Sequence, residues 1–204
     1  MYTELEALNH LLSQVGAAPV SSTANPLPDL ASAQLRLHEA SVWVQKRGWW
    51  FNRIFNQTYE PDEITNEIDL PVNTMKVVQP AFLIEKNDKL YDPYADSFEF
   101  DQAVTLDLIL LMEWDDMPGS AQDAILHRAA HAMVLHELED HNKADRIEVD
   151  VQLAYIELKK DDLEIHKRNS FQLPQVQQFR YRVRPYKRYG SGSYNPNYPG
   201  GGAR

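Results

Sequence analysis

Four histidines stand close enough along the chain for some of them to share a metal ion, namely His127, His131, His136 and His141. A zinc protease helix carries a glutamate directly after the first histidine of an i, i+4 pair, where it serves as general base. Here Arg128 follows His127, and Asp140 rather than a histidine stands four residues after His136. We therefore expect solvated or interfacial histidines and no bound metal. A metal hydrolase built on residues 127–141 is the alternative.

Acid–base or phosphate chemistry has no recognisable motif in this chain. The neighbouring carboxylates at 115–116, 137–140 and 161–162 follow the pattern of solvated helix faces. The GxSxG, GxGxxG and phosphate-loop motifs do not occur, and only Gly16, Gly48 and Gly119 precede residue 190. The chain has no cysteine, which excludes a thiol nucleophile, a thiolate zinc site and disulfides. We expect a protein that is not an enzyme and uses no cofactor.

The C-terminal segment carries a different kind of chemistry, suited to binding. Aromatic and β-branched residues alternate with arginines over residues 179–184, which gives an extended strand one apolar face and one cationic face. Guanidinium groups bind carboxylates with two hydrogen bonds, so we expect this segment to dock on an acidic partner surface. The candidate docking residues are Phe179, Arg180, Tyr181, Arg182, Val183, Arg184, Tyr186, Lys187 and Arg188. A nucleic-acid-binding module is the alternative function, because arginine also contacts phosphate and tyrosine stacks on bases.

Charge divides the 204-residue chain into two unequal parts. Residues 1–166 carry 12 Lys and Arg against all 30 Asp and Glu, a net charge of −18, whereas residues 167–204 carry 8 Lys and Arg and no acid. An acidic body with a basic tail is typical of a protein whose tail binds something else, and it argues against a free DNA-binding protein. No basic-then-apolar leader or run of 18 apolar residues occurs, so we expect neither secretion nor a membrane.

Helices must position whatever the chain binds. Apolar residues recur at helical spacing over residues 3–16, 29–47, 119–141 and 144–167. Thr3 and Glu6 form a capping box at the first helix, Asp29 is a good cap for the second, and Gly16 and Gly48 end these two helices.

The stretch between the second and third helices is rich in β-branched and aromatic residues. We expect strands over residues 64–70, 75–78, 82–85 and 98–110, the last broken near Asp101, with Asn87-Asp88 at a hairpin tip. The predicted fold is α+β: a four-helix bundle with a β-rich insertion and an extended basic C-terminal tail. The predicted domains are a discontinuous helical bundle of residues 1–48 and 114–169, a β insertion of residues 49–113 and a tail of residues 170–204.

Residues 47–52, with the sequence Arg47-Gly48-Trp49-Trp50-Phe51-Asn52, allow two interpretations. The structural one is a helix stop followed by an aromatic strand that enters the core, and the functional one is an interface anchored by tryptophan and arginine. The structural interpretation is favoured, because tryptophans this close to a helix end usually fill the junction.

Two segments together resemble a known family. The sequence LNHLLSQVG at residues 8–16 continues into a G-x-x-P-V turn that ends at Val20, and RGWWFN follows at residues 47–52. This order and spacing, with Met117-Pro118 before a later helix, resembles the tail tubular protein A family of short-tailed bacteriophages, also described as head-to-tail adaptors or gatekeepers. The resemblance covers about residues 5–52 and the Met-Pro helix start.

The resemblance implies a structural virion protein with a helical bundle and a β insertion. Its expected partners are the portal protein above, a tail nozzle protein below, tail fibres around the join, and copies of itself in a dodecameric ring that continues the DNA channel. The expected location is the virion tail, after assembly in the host cytoplasm.

Overall fold

A computed structural model describes residues 2–24 and 27–170, and the candidate docking residues 179–188 lie outside them. The described chain is α+β, with four helices and two small antiparallel sheets. The helices are α1 Glu4–Gln14, α2 Pro28–Gln45, α3 Gly119–Glu137 and α4 His141–Ser170. The strands are β1 Arg53–Tyr59, β2 Thr74–Gln79, β3 Ile84–Lys86, β4 Lys89–Tyr91 and β5 Val104–Leu110.

All four predicted helices are confirmed, with shifted ends. The Thr3–Glu6 capping box at α1 and the left-handed glycines after α1 and α2 are present. Asp29 is not the cap of α2, because Pro28 occupies the first helical position and Leu27 precedes it as N-cap. The predicted boundary between the last two helices is wrong by a few residues. The side chain of Asp140 accepts a hydrogen bond from the Lys143 amide, so α4 begins at His141.

Helices α1, α2 and α3 pack against one another around one apolar cluster. Leu8, Leu11 and Leu12 from α1 meet Leu30 and Leu37 from α2 in a fully buried core, which Ile125, Leu126 and Met133 of α3 complete. Helix α4 adds Ala154 and Leu158 to the same cluster. Within the part of the chain that the structure describes, no helix is long and apolar enough to cross a membrane.

The β region has its own smaller cluster. Strand β5 lies between β1 and β2, antiparallel to both, and β3 and β4 form a separate hairpin. Asn87 and Asp88 both have φ of 58° at the hairpin tip, which confirms that prediction. The buried residues of this cluster are Ile68, Leu70, Val77, Leu83, Leu90, Leu106 and Leu108.

Several strand predictions are wrong. Residues 64–70 form turns and isolated bridges, because the Asp62 carboxylate accepts hydrogen bonds from the Ile64 and Thr65 amides and Asn66 takes a φ of 55°. The strand predicted at 82–85 begins only at Ile84, and the one predicted from 98 begins at Val104, after a bend at 101–102. Residues 49–52 are a turn, and strand β1 follows them.

Most apolar residues from Phe98 to Leu110 share one parity, which predicts a strand with one buried face, and that prediction is wrong in the middle of β5. Asp107 and Ile109 are buried as well as Leu106 and Leu108. Asp107 is accommodated because its carboxylate pairs with Arg53 at 3.3 Å and accepts a hydrogen bond from the Asn56 amide at 2.9 Å. Strand β5 pairs with one strand on each side, and residues on both of its faces are buried, so it is the central strand of the sheet.

Candidate interaction site at residues 47–52

The chain leaves α2 through a turn that only glycine fits well. Gly48 has a φ of +74°, and its amide donates to the Gln45 carbonyl at 3.0 Å. A Cβ at this position would lie 2.6 Å from Cδ1 of Ile109 on β5. The close approach of the turn to β5 therefore depends on the missing side chain.

Asn52 joins the end of α2 to β5. Its side-chain nitrogen donates to the Gln45 carbonyl at 3.0 Å and to the Leu110 carbonyl at 2.9 Å, and its Oδ1 accepts from the Trp49 amide at 2.8 Å. The backbone carbonyl of Asn52 accepts from the Leu110 amide at 2.9 Å. The residue is 2% exposed, and these bonds satisfy the polar groups that its burial removes from water.

The buried side chain of Gln45 makes a second link from α2 to the segment after β5. Its Nε2 donates to the Met112 carbonyl at 3.0 Å and to Oγ of Ser41 at 2.9 Å, and its Oε1 accepts from the Met112 amide at 2.8 Å. Gln45 and Asn52 together tie both ends of the β region to one helix terminus.

The aromatic residues of the segment differ in exposure. Trp49 is buried, donates its indole N–H to the Val44 carbonyl at 2.7 Å, and meets Tyr155 of α4 edge to face at 5.6 Å. Trp50 and Phe51 are half-buried and contact each other edge to face, and the Trp50 amide donates to the Asp162 carboxylate at 3.1 Å. Residues 49–52 thus hold α2, α4 and β5 together.

Arg47 faces outward into a cluster of cations and rings. Its guanidinium lies 5.0 Å from the Trp43 ring centroid and 5.1 Å from that of Tyr155. Arg128 of α3 stacks on the same Trp43 ring at 3.5 Å, and the Lys159 ammonium lies 4.7 Å from the Tyr155 ring. The pKa of Arg128 lies below its usual value, mainly because the side chain is partly buried. The negative charge of Glu148 raises this pKa, and the positive charge of Arg47 lowers it.

Trp43 and Arg128 belong to this site although sequence reasoning missed them. Trp43 stands four residues before Arg47, and within the helix predicted over 29–47 this spacing is a local signal for contact, although α2 ends at Gln45. Arg128 comes from another helix, and nothing in its neighbourhood along the chain marks it.

The histidine cluster brings no ligand set together. Among the described residues, no three histidine, aspartate or glutamate side chains converge as metal ligands. His131 lies 3.8 Å from the Glu148 carboxylate, whereas His136 and His141 are exposed. Absence of a bound metal remains a prediction that metal analysis of the purified protein can test.

Two comparisons with known proteins bear on this arrangement. A family model described as tail tubular protein matches residues 5–168, from the first turn of α1 almost to the end of α4. The match includes all of residues 47–52 and the β region, and it stops before the basic segment. No curated protein matches the chain.

Proposed function

Because this chain belongs to the tail tubular protein family and is a structural component of a bacteriophage tail, we propose that it is a head-to-tail adaptor. In this role it joins the portal protein to the tail nozzle, takes its place in a dodecameric ring, and continues the DNA channel. Tail fibres attach around the join. The observation that carries the proposal is the family match over more than half of the chain.

The division of labour within the chain supports this function. We propose that residues 1–48 and 114–169 form a helical domain, that residues 49–113 form an insertion, and that residues 170–204 form a docking segment. Two separate buried clusters, one helical and one in the β region, support the first boundary. The links from Gln45 and Asn52 would keep the insertion at a fixed orientation to the helices.

The acidic body suits a channel for DNA. A wall with net negative charge repels phosphate, so DNA slides along it without binding. The same charge argues against the alternative of a nucleic-acid-binding module, for which the basic tail is the only support. No catalytic role is proposed, in keeping with a family of structural tail proteins.

The basic segment is proposed to dock on the portal protein. It contains all the candidate docking residues of 179–188, and no acidic residue follows Glu164. Arginines on one face can pair with carboxylates while the aromatic face packs against an apolar groove or adds to a neighbouring sheet.

A charge reversal in the full-length protein tests this function. The triple variant Arg180→Glu, Arg182→Glu and Arg184→Glu should bind purified portal protein at least about tenfold more weakly than wild type, since three charge-assisted contacts become repulsive. The control is Tyr194→Ala with Tyr198→Ala, in the Gly-rich part of the same segment, which should bind nearly normally. Wild-type binding by the triple arginine variant would refute the docking role of the segment, and wild-type protein that never joins a portal would refute the adaptor function.

A further inference from the structure

Two oppositely charged surfaces lie on opposite sides of α2. The first, here named the Trp43 patch, consists of Arg36, Trp43, Arg47, Arg128, Tyr155 and Lys159. Two carboxylates, Glu39 and Glu148, line the same hollow beside Trp43, and Glu39 pairs with Arg36, so the four cations of the patch outnumber the acids there. The second, here named the acidic groove, has a rim of Glu4, Glu113, Asp115 and Asp116.

Three cations of the Trp43 patch form no ion pair with a carboxylate of the described residues, although the negative charge of Glu148 raises the pKa of Arg128. Among the described residues, Arg47, Arg128 and Lys159 form no ion pair, although residues 1–166 contain all 30 acids. The residues outside the described part of the chain add no acidic side chain. The positive charges of Arg47 and Arg128 repel each other, which adds to the effect of burial in lowering the pKa of Arg128, while contact with the Trp43 and Tyr155 rings attracts both guanidinium groups to the patch. An incoming carboxylate would relieve this repulsion.

The acidic groove has the complementary character. It encloses about 430 Å³ between α1, α2 and the segment after β5, and an adjoining hollow at Val72 extends it. Leu37, Leu111, Met112 and Met117 contribute apolar surface, and no lysine or arginine of residues 2–24 or 27–170 lines either cavity. The aliphatic part of an arginine side chain can pack on these apolar residues while its guanidinium group pairs with the carboxylates at the edge of the groove.

One molecule cannot bring its own two surfaces together. At 3.6 residues per turn, Arg36 and Trp43 point to one side of α2, and His38 and Ser41, which line the groove, point roughly the opposite way. Surfaces on opposite sides of a rigid helix that complement each other in charge are suited to a heterologous, head-to-tail contact between copies, which closes into a ring when the rotation permits.

We propose that the Trp43 patch of one copy docks on the acidic groove of the next copy, and that this contact links neighbouring subunits of the ring. The inference rests on the proposed adaptor function, because that function places many copies side by side. The occupant of the patch is a second copy of this chain, since that copy carries a carboxylate-rimmed groove of matching chemistry. The net charge of −18 on each body opposes association at long range, so the contact forms when copies gather on the portal.

Cysteine cross-linking in assembled particles tests the contact, and the cysteine-free chain gives no background. The variant Ala132→Cys with Val72→Cys places one thiol beside the Trp43 patch and one beside the acidic groove without changing any charge. Treatment of particles with a short bis-maleimide should give a ladder of linked copies. Each single variant should give monomer, and so should the matched control Ala132→Cys with Ile64→Cys, whose second thiol lies on an exposed loop outside the groove.

The outcomes separate this inference from the adaptor function. Particles that contain the protein but give no ladder, or in which Ala132→Cys links to a different virion protein, overturn the head-to-tail contact and leave the adaptor function standing. Wild-type protein missing from portal-containing particles overturns the adaptor function instead.

A charge swap provides an independent check in the full-length protein. Arg128→Glu alone should weaken self-association on the portal about tenfold, and adding Asp115→Arg should restore much of that loss. Loss without any recovery in the double variant contradicts the pairing. Purified protein that forms the full ring at low salt, without portal, contradicts the role of long-range repulsion.

Discussion

The helical region and the β region of this protein obtain their structure in different ways. Helices α1 to α3 share one large apolar cluster, to which each contributes a stripe that is visible in the sequence. The β region has a much smaller buried cluster, and its path depends on turns. Five of the six non-glycine residues with positive φ among the described residues lie there, namely Asn56, Asn66, Asn87, Asp88 and Asp96.

This difference shows which forces determine each region. In the helices, local periodicity selects the buried face, and packing then follows from it. In the β region, asparagine and aspartate permit left-handed turns, and pairing partners lie far apart in sequence, as Arg53 and Ile109 do. We therefore expect the helical cluster to support the whole described body and the β cluster to support mainly itself.

Leu12→Asp is the strongest test of the helical cluster. Leu12 is 1% exposed, and burying an unpaired carboxylate there costs several kcal/mol, a large part of the roughly 5–15 kcal/mol that stabilises a typical domain. We expect the helical and β signals to be lost together, as measured by far-UV circular dichroism and amide hydrogen exchange. The control Leu35→Asp, on the exposed side of α2, should change stability by no more than about 0.5 kcal/mol. A soluble Leu12→Asp variant with wild-type helicity would contradict the expectation that the helical cluster supports the whole described body.

Ile68→Ala tests the smaller cluster. Ile68 is fully buried, so the lost apolar contacts and the resulting cavity should cost about 2–5 kcal/mol, whereas Ile64→Ala should cost almost nothing at 90% exposure. Amide exchange should accelerate in β1 to β5 while α1 to α3 keep their protection. Equal acceleration in the helices would show that the two clusters unfold as one unit.

The same pair of isoleucines shows where sequence prediction stops. The apolar and β-branched residues of 64–70 predicted a strand, yet hydrogen bonds to Asp62 turn the chain and leave Ile64 exposed while Ile68 is buried. Periodicity cannot detect such a turn, because a single side-chain acceptor decides it. The leucine and alanine stripes of the helices were predictable because several residues repeat the same signal.

The candidate site was predictable only in its local part. The glycine stop at 48 and the junction tryptophan at 49 follow from residue type and position, and the structure places both at the end of α2. The contacts of Asn52 with Leu110 and of Arg128 with Trp43 join residues 58 or more positions apart. Such contacts depend on how whole helices and strands pack together, and the spacing of residues along one sequence does not reveal that packing.

Gly48→Ala tests the junction between the two regions and should have the smallest effect of the three changes. Its matched control is Gly16→Ala, because Gly16 has nearly the same φ of +77° but no heavy atom within 4 Å of the point where a Cβ would stand. Both variants carry the left-handed backbone strain of about 1–2 kcal/mol, and only Gly48→Ala adds a clash with Ile109. Urea denaturation should therefore show a larger loss for Gly48→Ala.

The difference between the stability losses of Gly48→Ala and Gly16→Ala measures how closely the turn at Gly48 packs against β5. Ile109→Val removes the Cδ1 atom that a new Cβ would meet at 2.6 Å, so the double variant should recover much of that difference and give a positive coupling in a double-mutant cycle. Cγ1 of Ile109, at 2.8 Å, remains in valine as a methyl group free to take another rotamer, so recovery should be incomplete. Equal losses for Gly48→Ala and Gly16→Ala would mean that the turn and β5 move apart at little cost, and that the contacts of Gln45, Trp49, Trp50 and Asn52 join the helical and β regions without help from the close approach of Gly48 to Ile109.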